Sequence, residues 1–254
     1  MKTASRILAV CAGLFALALA QPASAAEFSG AQRDEIGKIV REYLLANPEV
    51  LQEAMAELEK RSQAAEAEKH KAAVKQNAEA IFSSKRQVTL GNPKGDVTLV
   101  EFFDYNCGYC KRAMEDMMAL LKDPNLKIVL KEFPVLGPGS VEAAQVAVAV
   151  RMQDPTGKKY LAFHQKLLGG RGQADKAHAM TAAKEVGLDM ARLEKDMAST
   201  EVRETLQESF KLAEALGMNG TPSYVIGNDV VIGAVGLEAL KEKVNNARCG
   251  KATC

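Results

Sequence analysis

Val97-Thr98-Leu99-Val100-Glu101-Phe102-Phe103-Asp104-Tyr105-Asn106-Cys107-Gly108-Tyr109-Cys110 is the stretch on which the fold turns. Its first seven residues are apolar apart from Thr98 and Glu101, which suits a strand buried on both faces. Beyond Cys110, Met114, Met117, Met118 and Leu121 recur at helical spacing until Asp123-Pro124-Asn125 ends the helix. Residues 127–133 read as the next strand, so the order strand, CxxC, helix, strand forms a βαβ unit. A cysteine at a strand-to-helix junction faces the helix N-terminal amides and dipole, which stabilise a thiolate. The pKa of Cys107 is therefore expected below the roughly 8.5 of a free cysteine. Cys107 is the expected nucleophile, and Cys110, further into the helix, is the resolving residue that attacks the mixed disulfide. An inert structural bridge and half of a zinc site are the competing readings. A bridge has no need of the junction, and zinc needs two more ligands. His70, His164 and His178 lie outside any such spacing, which leaves Cys249 and Cys254 only if the tail folds back.

Upstream, residues 26–86 are polar and helix-rich. Ser29 and Gln32 fit a capping box. Ile36, Ile39, Val40, Tyr43 and Leu44 mark one helix; Asn47-Pro48 interrupts, and Val50, Leu51, Met55 and Leu58 mark a second. Residues 61–80 are mostly Ala, Glu, Lys and Gln, helical with little to bury, and Arg61 and Glu68 at core positions speak against a long coiled coil. Val88 and Leu90 suggest a short strand before a Gly-Asn-Pro-Lys-Gly-Asp turn at 91–96. Downstream, Gly137-Pro138-Gly139 breaks the chain and Ser140 is a candidate cap for the helix that follows. Helices are expected over 141–152, 158–168, 174–186, 189–197 and 201–216. Thr221-Pro222 then precedes a hairpin, residues 223–226 and 230–232 around Gly227-Asn228-Asp229, and a last helix at 237–246.

The N-terminus bounds the compartment. Lys2 and Arg6, an apolar run over 7–20 and Ala23-Ser24-Ala25 make the three regions of a secretory signal peptide, residues 1–25. The run is short of the roughly 20 residues a bilayer requires. The chain carries 33 Lys+Arg against 32 Asp+Glu, and without Lys2 and Arg6 the balance is 31 against 32. No basic excess points to nucleic acid or an anionic membrane surface. Removal of the leader takes Cys11 and leaves Cys107, Cys110, Cys249 and Cys254, two local pairs in an oxidising compartment. Cys249 and Cys254 are close enough to form a second, terminal disulfide in the tail 249–254; a secondary redox pair or metal ligands are the alternatives.

Residues 87–247, and the motif Val100 to Cys110 above all, resemble the DsbA-like periplasmic oxidoreductases. The resemblance implies an α/β thioredoxin fold over 87–248, with a helical-domain insertion at about 137–217. It implies that Pro222 is cis and faces the CxxC, and that Thr221 and Pro222 bind the substrate backbone; the residues alone also allow an ordinary trans proline. By alternation Glu101 faces away from Val100 and Phe102. In a central strand it is buried with a raised pKa, and the family's matching acid moves protons to or from the second cysteine. At a sheet edge it would be solvated instead. Lys131, on the following strand, is a candidate partner for it.

Gly108-Tyr109 between the cysteines tunes the poise. Strongly oxidising DsbA proteins carry Pro-His there. Without that cation Cys107 should be less acidic and the disulfide less oxidising. Gly-Tyr with Thr before the proline resembles the DsbC-type isomerases. Residues 26–86 resemble the N-terminal oligomerisation region of ScsC-like proteins, some of which are isomerases linked to copper tolerance. Homo-oligomerisation is expected, against the alternative that these helices dock on their own domain or stay frayed. The leading reading is isomerisation or reduction of disulfides in unfolded or misoxidised periplasmic proteins, with no cofactor beyond the dithiol and no resident metal. A reductive role needs a membrane donor of the DsbD or ScsB kind. A DsbA-like oxidase needs a DsbB-like oxidant. A copper-binding carrier using the thiolates is the reading of another class.

Overall fold

The computed structural model describes residues 28–254; the leader expected at 1–25 lies outside them. In chain order the elements begin with α1 (Gly30–Ala46), α2 (Glu49–Gln76), α3 (Ala78–Phe82), β1 (Val88–Gly91), β2 (Val97–Phe103), α4 (Gly108–Leu120) and β3 (Leu126–Glu132). Five helices follow, α5 (Pro138–Gln153), α6 (Lys158–Gly169), α7 (Lys176–Glu185), α8 (Met190–Met197) and α9 (Thr200–Ala215). The chain closes with β4 (Ser223–Ile226), β5 (Asp229–Ile232) and α10 (Leu237–Cys249). The sheet has five strands in the order β1-β3-β2-β4-β5, with β2 and β3 parallel and every other pair antiparallel. This is the thioredoxin arrangement with α5 to α9 inserted between β3 and β4, preceded by an N-terminal helical region.

Alternation along β2 sorts the core into two layers. Leu99 and Phe103, with Ile128 and Leu130 of β3, face Met117 and Leu120 of α4, Leu240 and Val244 of α10, and the insertion. Val100, Phe102 and Val129 face the other way, against Leu212 and Leu216 at the end of α9. That second layer also holds Val74 of α2 and Ile81 of α3, 1% and 0% exposed. Val74 lies inside the stretch 61–80 expected to have little to bury, isolated among Ala, Lys and Gln, and Ile81 directly follows that stretch, so its periodicity reveals neither anchor.

The described residues divide into two compact units, 28–58 and 59–254. In the first, the capping box at α1 is formed: Gln32 N–H donates to Ser29 Oγ and Ser29 N–H to Gln32 Oε1. α1 buries no residue; Ile39, Tyr43 and Leu45 stand exposed on it, and Leu51, Met55 and Leu58 on α2.

The start of α5 differs from expectation. The helix begins at Pro138, which occupies its first turn, where a missing N–H costs nothing. Gly137 precedes it at φ 106°, a conformation an L side chain resists. Ser140 is therefore inside the helix and does not cap it. Its hydroxyl accepts instead from Asn106 Nδ2 at 2.9 Å.

Candidate active site

β2 emerges from the sheet centre at Phe103, and three polar or aromatic residues lead to Cys107, which sits at the N-cap of α4. Cys107 is 6% exposed and Cys110 1%, whereas Tyr109 between them is 59% exposed and lies under the Arg112 guanidinium, 4.4 Å from its ring centroid. Both cysteines are free thiols. The Thr221–Pro222 bond is cis, and Cys107 Sγ donates to the Thr221 carbonyl at 3.1 Å. The loop before β4 is thereby brought against the nucleophile.

Cys107 is held down to about 5, first by the Cys110 thiol donating to its sulfur, against burial, and then by the Thr221 side chain and the N–H groups of Cys110 and Tyr109. No cation is required for this. Cys110 is pushed far up, because its proton is shared with the Cys107 sulfur, because it is buried, and because Glu101 is near. The two cysteines are thus driven apart in acidity, Cys107 toward thiolate and the deeper Cys110 toward thiol, which suits the division of labour of attacker and resolver.

Glu101 is 4% exposed in the middle of β2. Burial, together with the like charges of Asp116 and Cys107, raises its pKa to about 8. Tyr224 of β4 is its cross-strand partner and is likewise buried, 2% exposed. Lys131 does not join them. In the parallel register Glu101 stands opposite Leu130, so Lys131 pairs with Phe102 and points into the opposite layer. There its ammonium, 1% exposed, meets Glu208 of α9 at 3.5 Å, and burial lowers its pKa. The candidate Glu101–Lys131 pair is thus replaced by Lys131–Glu208.

Two residues of the motif that sequence reasoning passed over hold the loop. Asp104, 2% exposed, accepts from the N–H groups of Asn106, Val135 and Leu136 at 2.7, 2.8 and 3.0 Å. Asn106 donates to Ser140 Oγ and the Ala174 carbonyl and accepts from the Ala174 N–H at 2.7 Å. Their signal was two polar residues at the exit of a buried strand, where backbone groups need partners.

Cys249, the last residue of α10, and Cys254 in the exposed tail are joined by a disulfide with Cα atoms 6.2 Å apart. Among the described residues no group of three His, Cys, Asp or Glu side chains converges to hold a metal ion.

Residues 98–245 match the model of the DSBA-like thioredoxin domain, and residues 32–65 that of the copper resistance protein ScsC N-terminal domain. The chain belongs to the DSBA-like thioredoxin domain family. It is 45% identical to a thioredoxin-like oxidoreductase from Silicibacter pomeroyi DSS-3, covering 67% of this chain and 96% of that one, with a TM-score of 0.63. Proteus mirabilis ScsC in a transitional conformation is 30% identical, with 89% and 100% of the two chains covered and a TM-score of 0.64. The thiol:disulfide interchange protein DsbA of Bordetella pertussis is 28% identical over 138 residues, 52% of this chain and 64% of that protein. A Na(+)/H(+) antiporter NhaA 1 of Salinispora arenicola is 27% identical over 168 residues, and there the match spans only 25% of the antiporter's length.

Proposed function

We propose that this chain is an exported thiol-disulfide oxidoreductase that isomerises or reduces disulfides in periplasmic proteins. The observation that carries the reading is the opposed acidity of Cys107 and Cys110 at the head of α4, beside the Thr221 carbonyl. The Cys107 thiolate attacks a substrate disulfide, forms a mixed disulfide and releases one substrate thiolate. If that thiolate attacks another substrate disulfide and a substrate thiol then displaces Cys107, the substrate is rearranged with no net electron change. If Cys110 attacks first, the substrate leaves reduced and Cys107–Cys110 is oxidised; a membrane donor must return two electrons. Glu101, its pKa raised to about 8, takes the Cys110 proton when ionised and returns it when neutral.

Rearrangement is favoured over strong oxidation by Gly108-Tyr109 in place of Pro-His, a dipeptide that resembles that of the DsbC-type isomerases. It is supported also by the N-terminal unit, whose exposed apolar side chains suit association of several copies around one substrate. Substrates are unfolded or misoxidised secreted proteins, met through Thr221 and Pro222. Reactivation of scrambled ribonuclease, set beside oxidation of reduced ribonuclease, tests this. Turnover is expected in the first assay and lost in Cys107→Ser. Activity confined to the second assay would make the protein an oxidase. Stoichiometric Cu(I) binding with neither activity would make it a carrier.

A further inference from the structure

The residues that lead into Cys107 are each held from outside the βαβ unit. Asp104 takes the loop after β3, and Asn106 takes Ala174 ahead of α7. Tyr105 enters a third system, which no step of disulfide exchange uses. Tyr160 of α6 donates its hydroxyl proton to Glu132 Oε1 at 2.6 Å. The Tyr105 and Tyr160 hydroxyls are 3.3 Å apart, and His164 Nδ1 lies 3.3 Å from the Tyr105 hydroxyl. All four side chains are at most 2% exposed. Phe103 and His164 pack edge-on to the Tyr105 ring, and His164 stacks on Tyr160.

The protons can be arranged in one direction. Tyr160 spends its proton on Glu132, so its oxygen accepts from Tyr105, and the Tyr105 oxygen accepts from His164. Burial holds His164 down to about 3, so the ring is neutral, and in the tautomer with its N–H on Nδ1 it donates to the Tyr105 oxygen. A chain of donors thus runs from α6, through the active-site loop, and back to the end of β3. Glu132 Oε2 has no partner among the described residues, and the charges of Arg151 and Lys131 reach the carboxyl only through space. The Tyr160 hydroxyl is therefore the one side-chain donor on a buried carboxyl, and a buried polar group without its partner is costly.

We propose that Tyr105 is a positioning residue for Cys107: tethered to α6 and β3 by this chain, it sets the loop so that the Cys107 sulfur stays in reach of the Tyr109 and Cys110 amides and of Thr221. The helical insertion, on this account, tunes the redox site as well as framing it. The inference rests on the disulfide-exchange reading above.

Tyr105→Phe tests it with the ring still packed and Tyr160 still bonded to Glu132, although His164 Nδ1 loses its partner, so the Cys107 readouts are set beside the melting temperature. The measurements are thiolate absorbance of reduced protein against pH, equilibrium with a glutathione redox buffer, and thermal melting. Tyr105→Phe is expected to raise the Cys107 titration midpoint by a few tenths of a pH unit or more. The glutathione equilibrium should move about two- to threefold toward the protein disulfide. Tyr160→Phe should do the same and also lower the melting temperature. Adding Glu132→Leu to it removes both polar partners and should restore stability while leaving Cys107 shifted. Unchanged Cys107 readouts in Tyr105→Phe, or their return to parent values in the double variant, would overturn the proposal. Neither readout uses ribonuclease, so failure here is separable from failure of the functional reading.

Discussion

At Glu101 the fold sets a carboxyl against its own charge. Its pKa rises from the ordinary 4.5 to about 8 by burial beside Asp116 and Cys107. A raised pKa means that stability is full below about pH 4.5 and is lost as pH rises toward 8, because the unfolded chain releases that proton more readily. Glu101→Gln is therefore expected to match the parent near pH 4. At pH 8.5 it should exceed the parent by on the order of 2 kcal/mol. Thermal melts of the reduced proteins at both pH values check this, and an equal difference at the two would show that titration is not its source. The burial of Glu101 was legible, because a lone acid inside an apolar run at a βαβ centre has nowhere else to go. Its partner was not. A parallel register is set by packing between distant segments, and a shift of one residue sends a side chain to the other face. Leu130 stands where Lys131 was expected, and Lys131 finds Glu208 on a helix 77 positions later.

Elements tell a similar story with a different cause. β2, α4, β3 and the hairpin announce themselves through dense apolar patterns. α3 does not, since Ile81 is its one fully buried side chain. Yet Ile81 packs in the same layer as Val100, Phe102 and Leu216. Ile81→Ala should destabilise the protein by about 2–5 kcal/mol, as large-to-small changes at fully buried sites do. Urea denaturation measures it, and a loss under about 1 kcal/mol would show that α3 is an appendage of the core. The same logic predicts that a chain begun at residue 59 keeps the stability of the redox domain better than one begun at 87. Tyr160, His164 and Glu132 escaped notice for a third reason. They lie on separate elements, and only the insertion's path brings them to Tyr105.

For the whole molecule, the two units make separable contributions. Exposed Ile39, Tyr43, Leu45, Met55 and Leu58 belong to the first, and every residue around Cys107 belongs to the second. Removal of residues 28–58 is expected to convert an oligomer to a monomer in light scattering while leaving the Cys107 titration in place. Isomerase turnover should fall with the assembly, and reductase turnover should persist. A monomer before and after removal would take away the architectural support for isomerisation. The N-terminal unit was readable as helix, because capping and periodicity are local, whereas the destination of its exposed apolar side chains is not a local property.

The tail disulfide has a practical consequence of its own. With Cys249 and Cys254 joined to each other, Cys107 and Cys110 are the free thiols among the described residues. In protein that has lost Cys11 with the leader, a maleimide dye added after denaturation without reduction therefore reads the oxidation state of the CxxC by simple stoichiometry, one pair of labels or none.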